Sequence, residues 1–459
     1  MKVVTDNTSQ LRQSLTLLDQ LSSAGSGSCS KGRSVSGRVL LLQGPVGPFF
    51  KRLQRHFASE GMDVWRVCFN PGDLLYSCPE NRIYFRGGFA DWRRWLREFL
   101  GSSRPDVIVL FGSERPAHRI ARQLAGRLGI RVLSLEEGYI RPGFITVEES
   151  GNNASSPLAG VLPEVSLKPC DEPPEVGTHY KSLGRMSSYG AVYYGIRSLL
   201  SIGRQKQLYH RRFELLQECF CWGRNVYRRF AGQGKNFTII QGLLEHWDRR
   251  FFLVPLQVSA DSNMQAAALG WNSIRLISTS MRSFAAAAPL HTRLVFKIHP
   301  LERGHCDYLS FIHEEAQRLG VSDCVDIIDT GSLGLLARHA AGMITINSTS
   351  GLSAIHHGIP LLVIGKAVYA NPVLAVCAHG QPDFDHFWTC RHIAAPAVRR
   401  RYLEWLKREA LVAGDFYVEE GMKQACQGLS EKVLVHSLDE STEVVTMSME
   451  QETRRASII

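Results

Sequence analysis

Nowhere in this 459-residue sequence is there an apolar run long enough to span a bilayer. The longest candidate, ITINSTSGLSAIHHGIPLLVIG, is broken by polar residues. The amino-terminal MKVVTDNTSQLRQSLTLLDQL lacks the continuous apolar stretch of a secretory signal, so a cytoplasmic chain is expected. A disulfide framework is missing too: the eleven cysteines are odd in number and irregularly spaced. Cys219 and Cys221 form the one close pair, with no second pair or His cluster to complete a zinc site. Free thiols in a reducing compartment are the reading that follows. Carboxylates are in deficit, with 43 Asp and Glu against 53 Lys and Arg, for a formal charge of +10. That excess calls for an anionic partner: nucleic acid, an acidic lipid surface or a phosphorylated donor.

What is present is an ordinary globular composition, 44% hydrophobic and 21% charged, in a chain too long for one core. Residues 1–36 end in a Ser/Gly-rich stretch and read as a flexible leader. Order is expected from Arg38. RVLLLQG, VWRVCFN, PDVIVLFG and IRVLSLEEG read as strands. Helical patterns lie between them, the first with Phe49, Phe50, Leu53 and Phe57 on one face. A Pro-rich passage from Pro157 to Pro174 then leads into a basic helical region carrying Arg197, Arg204, Lys206, Arg211, Arg212, Arg224, Arg228 and Arg229. A second alternation follows, with FFLVPLQ, RLVFKIHP, CVDIIDT, GMITINS and PLLVIG as strands. The pattern predicts two α/β units in series, over 37–165 and 236–438, joined through 166–235 and followed by a polar tail, 439–459. In such sheets ligands lie beyond the carboxyl ends of the strands, so two facing units make one cleft.

Five segments fall at those ends. LLQGPVGPFF offers Gly44 and Gly47 after a strand, although it has neither dinucleotide nor phosphate-loop spacing and reads as well as a plain turn. LEEGYIRPGF offers Glu136 and Glu137, either an acid/base pair beside Arg141 or a solvated acidic turn. In VPLQVSADSNM, Asp261 can be a nucleophile, a base or a helix N-cap. In LVFKIHP, proline holds His299 extended and Lys297 lies on the same side of the strand, a pair suited to phosphate. The loop Asn347-Ser348-Thr349-Ser350-Gly351 opens a helix, where hydroxyls and free N–H groups either cap it or hold a phosphate. The basic region, with Leu199, Leu200, Leu208, Tyr209, Phe213, Leu216 and Phe220 interspersed, reads as a solvated face or as a helix lying on anionic lipid.

Taken in order, LLQGPVGPFF, FNPGD, LFGSERPAHR, EEGYIRP, PLQVSADS, KIHP, NSTSGLSAIHHGIPLLVIGKAVY and GDFY resemble the capsule polysaccharide β-Kdo transferases of the KpsS type, from about Val39 to Tyr417. The resemblance implies a GT-B-like fold of two Rossmann-like domains. It implies transfer of Kdo from CMP-Kdo to a phosphatidylglycerol-type lipid at the inner face of the cytoplasmic membrane. Retention through a sugar adduct on Asp261, the aspartate of the Gln257-to-Asp261 segment, goes with it. Glu136 and Glu137 map onto the acidic motif, with Glu137 favoured as acid/base although related enzymes carry Asp there. His299, Pro300, Ser348, Thr349 and Gly351 are implied at the donor phosphate, together with Gln257 and Lys297. Arg115, His118, Tyr139 and Arg141 are implied on the acceptor side with the two glycines. No cofactor beyond the substrate is expected and no metal, since Asp383-Phe384-Asp385 reads as a cap. Other capsule assembly proteins are implied as partners, nucleic acid is not, and a peripheral place on the inner membrane follows. Two rival readings stand: a transferase for another nucleotide sugar, and a non-catalytic export or assembly factor.

Overall fold

The computed structural model describes residues 37–164, 178–201, 203–209, 215–259 and 261–434. The expected leader, the polar tail, Arg211, Arg212 and Phe213 and part of the Pro-rich passage lie outside the described residues. The first sheet contains β1 (Arg38–Leu41), β2 (Asp63–Cys68), β3 (Arg82–Tyr84), β4 (Val107–Phe111), β5 (Arg131–Glu137) and β6 (Phe144–Glu149). The second contains β7 (Phe251–Pro255), β8 (Arg293–Lys297), β9 (Val325–Ile328), β10 (Gly342–Thr345), β11 (Leu361–Val363) and β12 (Val376–Cys377). A last strand, β13 (Leu411–Ala413), returns to the first sheet.

The strand orders are β13-β6-β5-β4-β1-β2-β3 and β12-β11-β10-β7-β8-β9. All neighbours in the second sheet are parallel, as are β5-β4-β1-β2-β3 in the first; β6 and β13 add an antiparallel edge. A parallel strand covered by helices on both faces must be apolar throughout. Thus VIVLF of β4 is buried at all five positions. In β1, Val39 and Leu41 pack with Phe49, Phe50, Leu53 and Phe57 of the helix Phe49–Ser59, while Leu40 joins Trp92 and Leu96 on the opposite face. β7 divides likewise, Phe251 and Leu253 to one core and Phe252 and Val254 to the other. The fold is α/β and GT-B-like, with two Rossmann-like halves, and the described residues form one compact unit.

Two features differ from the expectation. The unit drawn over 236–438 does not keep all of its residues. After the helix Pro396–Ala410, β13 pairs with β6, and Val412, Phe416, Tyr417, Met422 and Leu429 enter the core of the first sheet. Local periodicity cannot reveal such a return, because pairing partners far apart in sequence decide it. The basic region is also not a uniform charged surface. It contains the helices Leu183–Leu200 and Leu215–His246. Arg197 is buried, stacked between Tyr194 and Tyr209 at 4.7 and 4.9 Å, and Arg204 pairs with Asp91 at 3.2 Å. Arg224 donates to the Gly304 carbonyl at 2.7 Å, and Arg228 to that of Arg303 at 2.9 Å.

Phe416 is the anchor of the returning segment. It is fully buried, its ring edge-on to Phe49 at 4.9 Å and to Phe111 at 5.2 Å. Phe416→Ala is therefore expected to cost about 3–5 kcal/mol through the cavity it leaves. Denaturant melts of the two proteins measure that difference; an unchanged midpoint would mean the returning segment does not support the first sheet.

Candidate active site

Strand order places the two crevices. In the first sheet it reverses between β1 and β4, and in the second between β7 and β10. Loops diverging there leave room for a ligand. Gln43 and Gly44 follow β1 and Arg115 follows β4; Gln257 and Asp261 follow β7, and Asn347 to Ser350 follow β10. The sequence motifs thus converge on the carboxyl edges of both sheets.

Glu136 and Glu137 end β5, and successive strand residues project to opposite faces. Glu137 accepts a hydrogen bond from the Tyr417 hydroxyl at 2.9 Å and lies 3.8 Å from Arg141. Glu136 faces the other half. Burial, reinforced by the Asp261 carboxylate and less by Glu137, pushes its carboxyl up to about 7, against the opposing pull of Arg115. Two carboxylates, one from each sheet, therefore feel one another across the cleft. The family resemblance favours Glu137 as the acid/base; the environment suited to that work belongs to Glu136.

Asp261 precedes the helix Ser262–Ala267, its carbonyl accepting from the Met264 amide at 3.1 Å. Its loop is held from two sides. The Gln257 carboxamide donates to Asn347 Oδ1 at 2.8 Å and accepts from the Asn347 amide at 3.1 Å, which locks the β7 loop to the β10 loop. The buried Glu302 accepts from the amide and hydroxyl of Ser259, both at 3.2 Å. Gln257 thus acts on the loop, and Glu302 was not singled out in the sequence although it lies two residues beyond the His-Pro motif.

Lys297 and His299 leave β8 together as expected. Burial lowers the ammonium of Lys297, opposed by Asp329 and assisted by Arg303. Burial, Lys297 and Arg141 bring the imidazole of His299 down to about 4 against the opposing field of Glu302, so it is neutral at pH 7. The Leu301 amide donates to Nδ1 at 3.2 Å, which assigns the ring proton to Nε2. His299 therefore offers a neutral N–H rather than a second positive charge. Pro300 is exposed, its carbonyl taken by Asn225 at 2.7 Å. In the loop after β10 the Ser348 hydroxyl accepts from the Ser350 amide at 3.2 Å, and the carbonyls of Ser348 and Thr349 both accept at 3.1 Å, from the amides of Gly351 and Leu352. Gly351 is required by packing: a Cβ there would lie 2.3 Å from the Tyr369 ring.

Of the residues expected on the acceptor side, Arg115 donates to Gln43 Oε1 at 3.0 Å and to the Gly44 carbonyl at 3.2 Å, and it is the cation nearest in effect to Glu136. Gly44 and Gly47 leave room for the rings of Phe50 and Tyr189, which a Cβ would meet at 2.5 and 2.7 Å. Arg141 stays largely exposed at the rim, its Nε on the Gly138 carbonyl at 3.2 Å. His118 and Tyr139 do not face a cleft. His118 is fully buried, Nδ1 2.9 Å from the Gly112 carbonyl and Nε2 accepting from the Gln43 amide at 3.3 Å; burial lowers it to about 3. Tyr139 is buried with its hydroxyl on Glu148. Both are expectations corrected by burial. Asp383 caps the helix Phe384–Phe387, accepting from the His386 amide at 3.0 Å, and Asp385 accepts from the Ser283 hydroxyl.

One residue at the join between the halves has no sequence signal. Asn153, buried with φ 52°, donates from Nδ2 to the Asn347 carbonyl at 3.0 Å and accepts at Oδ1 from the Val368 amide at 2.9 Å. Tyr417, by contrast, was visible in GDFY. A cavity of about 370 Å³ lies elsewhere, between the helix Leu215–His246 and the ends of β8 and β9, lined by Tyr227, Ala231, Ile298, Leu309 and Ile327.

With this geometry in place, comparisons with known proteins can be set beside it. Residues 106–417 match the family described as capsule polysaccharide biosynthesis protein. The chain is 34% identical over 353 residues to the capsule polysaccharide export protein KpsS of Escherichia coli, covering 76% of this chain and 89% of that one. It is 31% identical over 365 residues to the capsule polysaccharide modification protein LipB of Neisseria meningitidis serogroup A, covering 76% and 84%. Among solved structures, the β-Kdo 2,7 transferase KpsC of Thermosulfurimonas dismutans aligns at 13% identity and a TM-score of 0.38, covering 86% and 99%.

The raised Glu136 carboxyl has a thermodynamic consequence. The folded chain binds that proton more tightly than the unfolded chain, so this group's contribution to stability falls as pH rises from the ordinary 4.5 through about 7. Glu136→Gln should remove that slope, gaining about 1–3 kcal/mol on the original chain across the window. Parallel melts at several pH values measure it; a difference that does not vary with pH would mean the Glu136 carboxyl is not raised in the folded chain.

Proposed function

Since the chain belongs to the capsule polysaccharide biosynthesis family, we propose that it is a retaining β-Kdo glycosyltransferase that moves Kdo from CMP-Kdo to a phosphatidylglycerol or lysophosphatidylglycerol hydroxyl at the inner membrane surface. The observation that carries this reading is the pair of carboxylates, Asp261 and Glu136, drawn from opposite halves and coupled across the cleft. Net retention needs two displacements at one carbon, hence a carboxylate nucleophile and a separate acid/base.

In the first displacement an Asp261 oxygen bonds to the anomeric carbon of Kdo as the bond to the CMP phosphate breaks. The phosphate departs as an anion that needs no proton. Lys297, the Nε2–H of His299 and the hydroxyls of Ser348 and Thr349 are the groups offered to it, and a neutral imidazole donor avoids placing two positive charges side by side. In the second displacement the acceptor hydroxyl attacks that carbon, the bond to Asp261 breaks and Glu136 takes the hydroxyl proton. A carboxyl near 7 is half ionised at neutral pH, which suits a base that must then release its proton. Arg115 moderates the burden of two neighbouring carboxylates.

The test is to incubate purified protein with CMP-Kdo and a fluorescent phosphatidylglycerol or its lyso form and follow the product by mass spectrometry. A single Kdo-sized increase in lipid mass is expected, reduced by a factor of about 10³ or more in Asp261→Ala with CMP binding kept. Absence of CMP binding in the original chain would remove the transferase reading and favour a carrier of finished polymer. Product from another sugar nucleotide would change the donor.

A second expected outcome concerns the two steps separately. Glu136→Gln should still form the sugar–Asp261 bond but transfer it slowly, so intact-protein mass spectrometry should find the protein heavier by one Kdo. The original enzyme's transfer rate should rise with pH through about 7 as Glu136 ionises. A rate independent of pH from 5 to 9 would assign the base elsewhere.

A further inference from the structure

The helix Leu215–His246 is 32 residues long and has two unlike faces. Its inner face carries the loop that follows the His-Pro motif. Asn225 donates to the Pro300 carbonyl at 2.7 Å, Arg224 to that of Gly304 at 2.7 Å, and Arg228 to that of Arg303 at 2.9 Å. Glu218 and His305 meet at 3.0 Å, and a Cβ on Gly304 would lie 2.0 Å from the Cys221 carbonyl. These bonds hold the first half of the inner face against that loop, and further along the helix borders the cavity described above.

The outer face is apolar and open to solvent. Leu216, Phe220, Tyr227, Phe230 and Phe237 are each between 68% and 86% exposed. Their separations of four, seven, three and seven residues keep them on one stripe at 3.6 residues per turn. Single exposed apolar residues need no explanation, but an aromatic stripe of this length does. Between Leu215 and Leu244 the helix has one carboxylate, Glu218, which is buried against His305. Arg229 and Lys235 are exposed to either side of the stripe. The outward surface thus presents aromatic and aliphatic groups flanked by cations and has no anion among the residues from Leu216 to Leu244.

We propose that this outer face is a membrane-docking surface, laid into the interface of a bilayer containing anionic phospholipid, with Leu216, Phe220, Tyr227, Phe230 and Phe237 inserted and Arg229 and Lys235 at the headgroups. The combination of an apolar stripe with flanking cations is what an interfacial helix needs. A second copy of the chain is the poorer occupant. Two-fold pairing of this face would bring Arg229 and Lys235 toward their own counterparts, and the one exposed carboxylate on the helix, Glu245, lies ten residues beyond Lys235. No helix among the described residues is long and apolar enough to cross a membrane, so the contact is made at one leaflet. The proposal deepens the lipid-acceptor reading yet stands on the helix alone. Docked in this way, the helix brings the loop bearing His299 toward the bilayer, since its inner face holds that loop.

The test uses the full-length chain without any sugar nucleotide, so that it is independent of the transfer chemistry. Binding is measured by co-sedimentation with vesicles of phosphatidylcholine alone and with added phosphatidylglycerol. The original chain should sediment with the anionic vesicles. Phe220→Ser/Phe230→Ser/Phe237→Ser should weaken that binding by about tenfold or more while its circular dichroism and melting stay unchanged. Arg229→Gln/Lys235→Gln should lose the preference for phosphatidylglycerol. The proposal is overturned if the original chain stays in the supernatant, or if the triple variant binds as well as the original. It is equally overturned if light scattering finds the original chain dimeric and the triple variant monomeric with no vesicle binding by either, which would assign the face to a second copy.

Discussion

A buried carboxamide lies at the centre of the join between the two halves, with Gly160 bonded to Val368 and Asn371 beside it and Tyr139 in the core of the second half. Asn153 reaches from the end of the first sheet's antiparallel edge, giving one hydrogen bond to the Asn347 carbonyl and taking one from the Val368 amide. Asn347 in turn holds Gln257 in a reciprocal pair, so the join continues into the loop that ends at Asp261. Behind Asn153, the Tyr139 hydroxyl accepts from its amide and donates to Glu148, which also receives Ser156 and Asn152. Groups this deeply buried are costly unless every partner is present, so the network admits few relative placements of the halves.

What the join holds in place is electrostatically unfavourable by itself. Asp261 and Glu136 are like charges in a partly dehydrated cleft, and the protein meets the cost by keeping Glu136 protonated to about pH 7, with Arg115 as a counterion. On the other wall the same dehydration strips His299 of its positive charge and lowers the ammonium of Lys297. Burial is thus the first cause at all three groups. It produces a half-protonated carboxyl, a neutral donor and a destabilised cation, each with its protonation equilibrium displaced from that in water. Such a constellation is what a displacement reaction on an anionic leaving group requires.

The long helix ties this chemistry to a surface. Two of its arginines, Arg224 and Arg228, from a region that in sequence read either as a solvated face or as a helix on anionic lipid, are bonded to the carbonyls of the loop after His299. In the docked state proposed above, lipid affinity comes chiefly from aromatic groups on the opposite face.

The strands of both sheets were legible because parallel strands buried on two faces must be continuous apolar runs, and VIVLF, FFLVP and RLVFK have no other stable place. The motifs after those strands were legible for the same reason, since a ligand site in this architecture follows the carboxyl ends. β13, the retreat of His118 and Tyr139 into the interior and the linking role of Asn153 were not, because each depends on partners far away in sequence. The choice between Glu136 and Glu137 belongs with these: adjacent residues are equal in the sequence until a sheet sends one toward Asp261 and the other toward Tyr417. Composition and periodicity by themselves determined the class of fold and the loops that carry chemistry. Only tertiary packing decided which side chains meet across the cleft and in what protonation state, because fields and dehydration act through space and not along the chain.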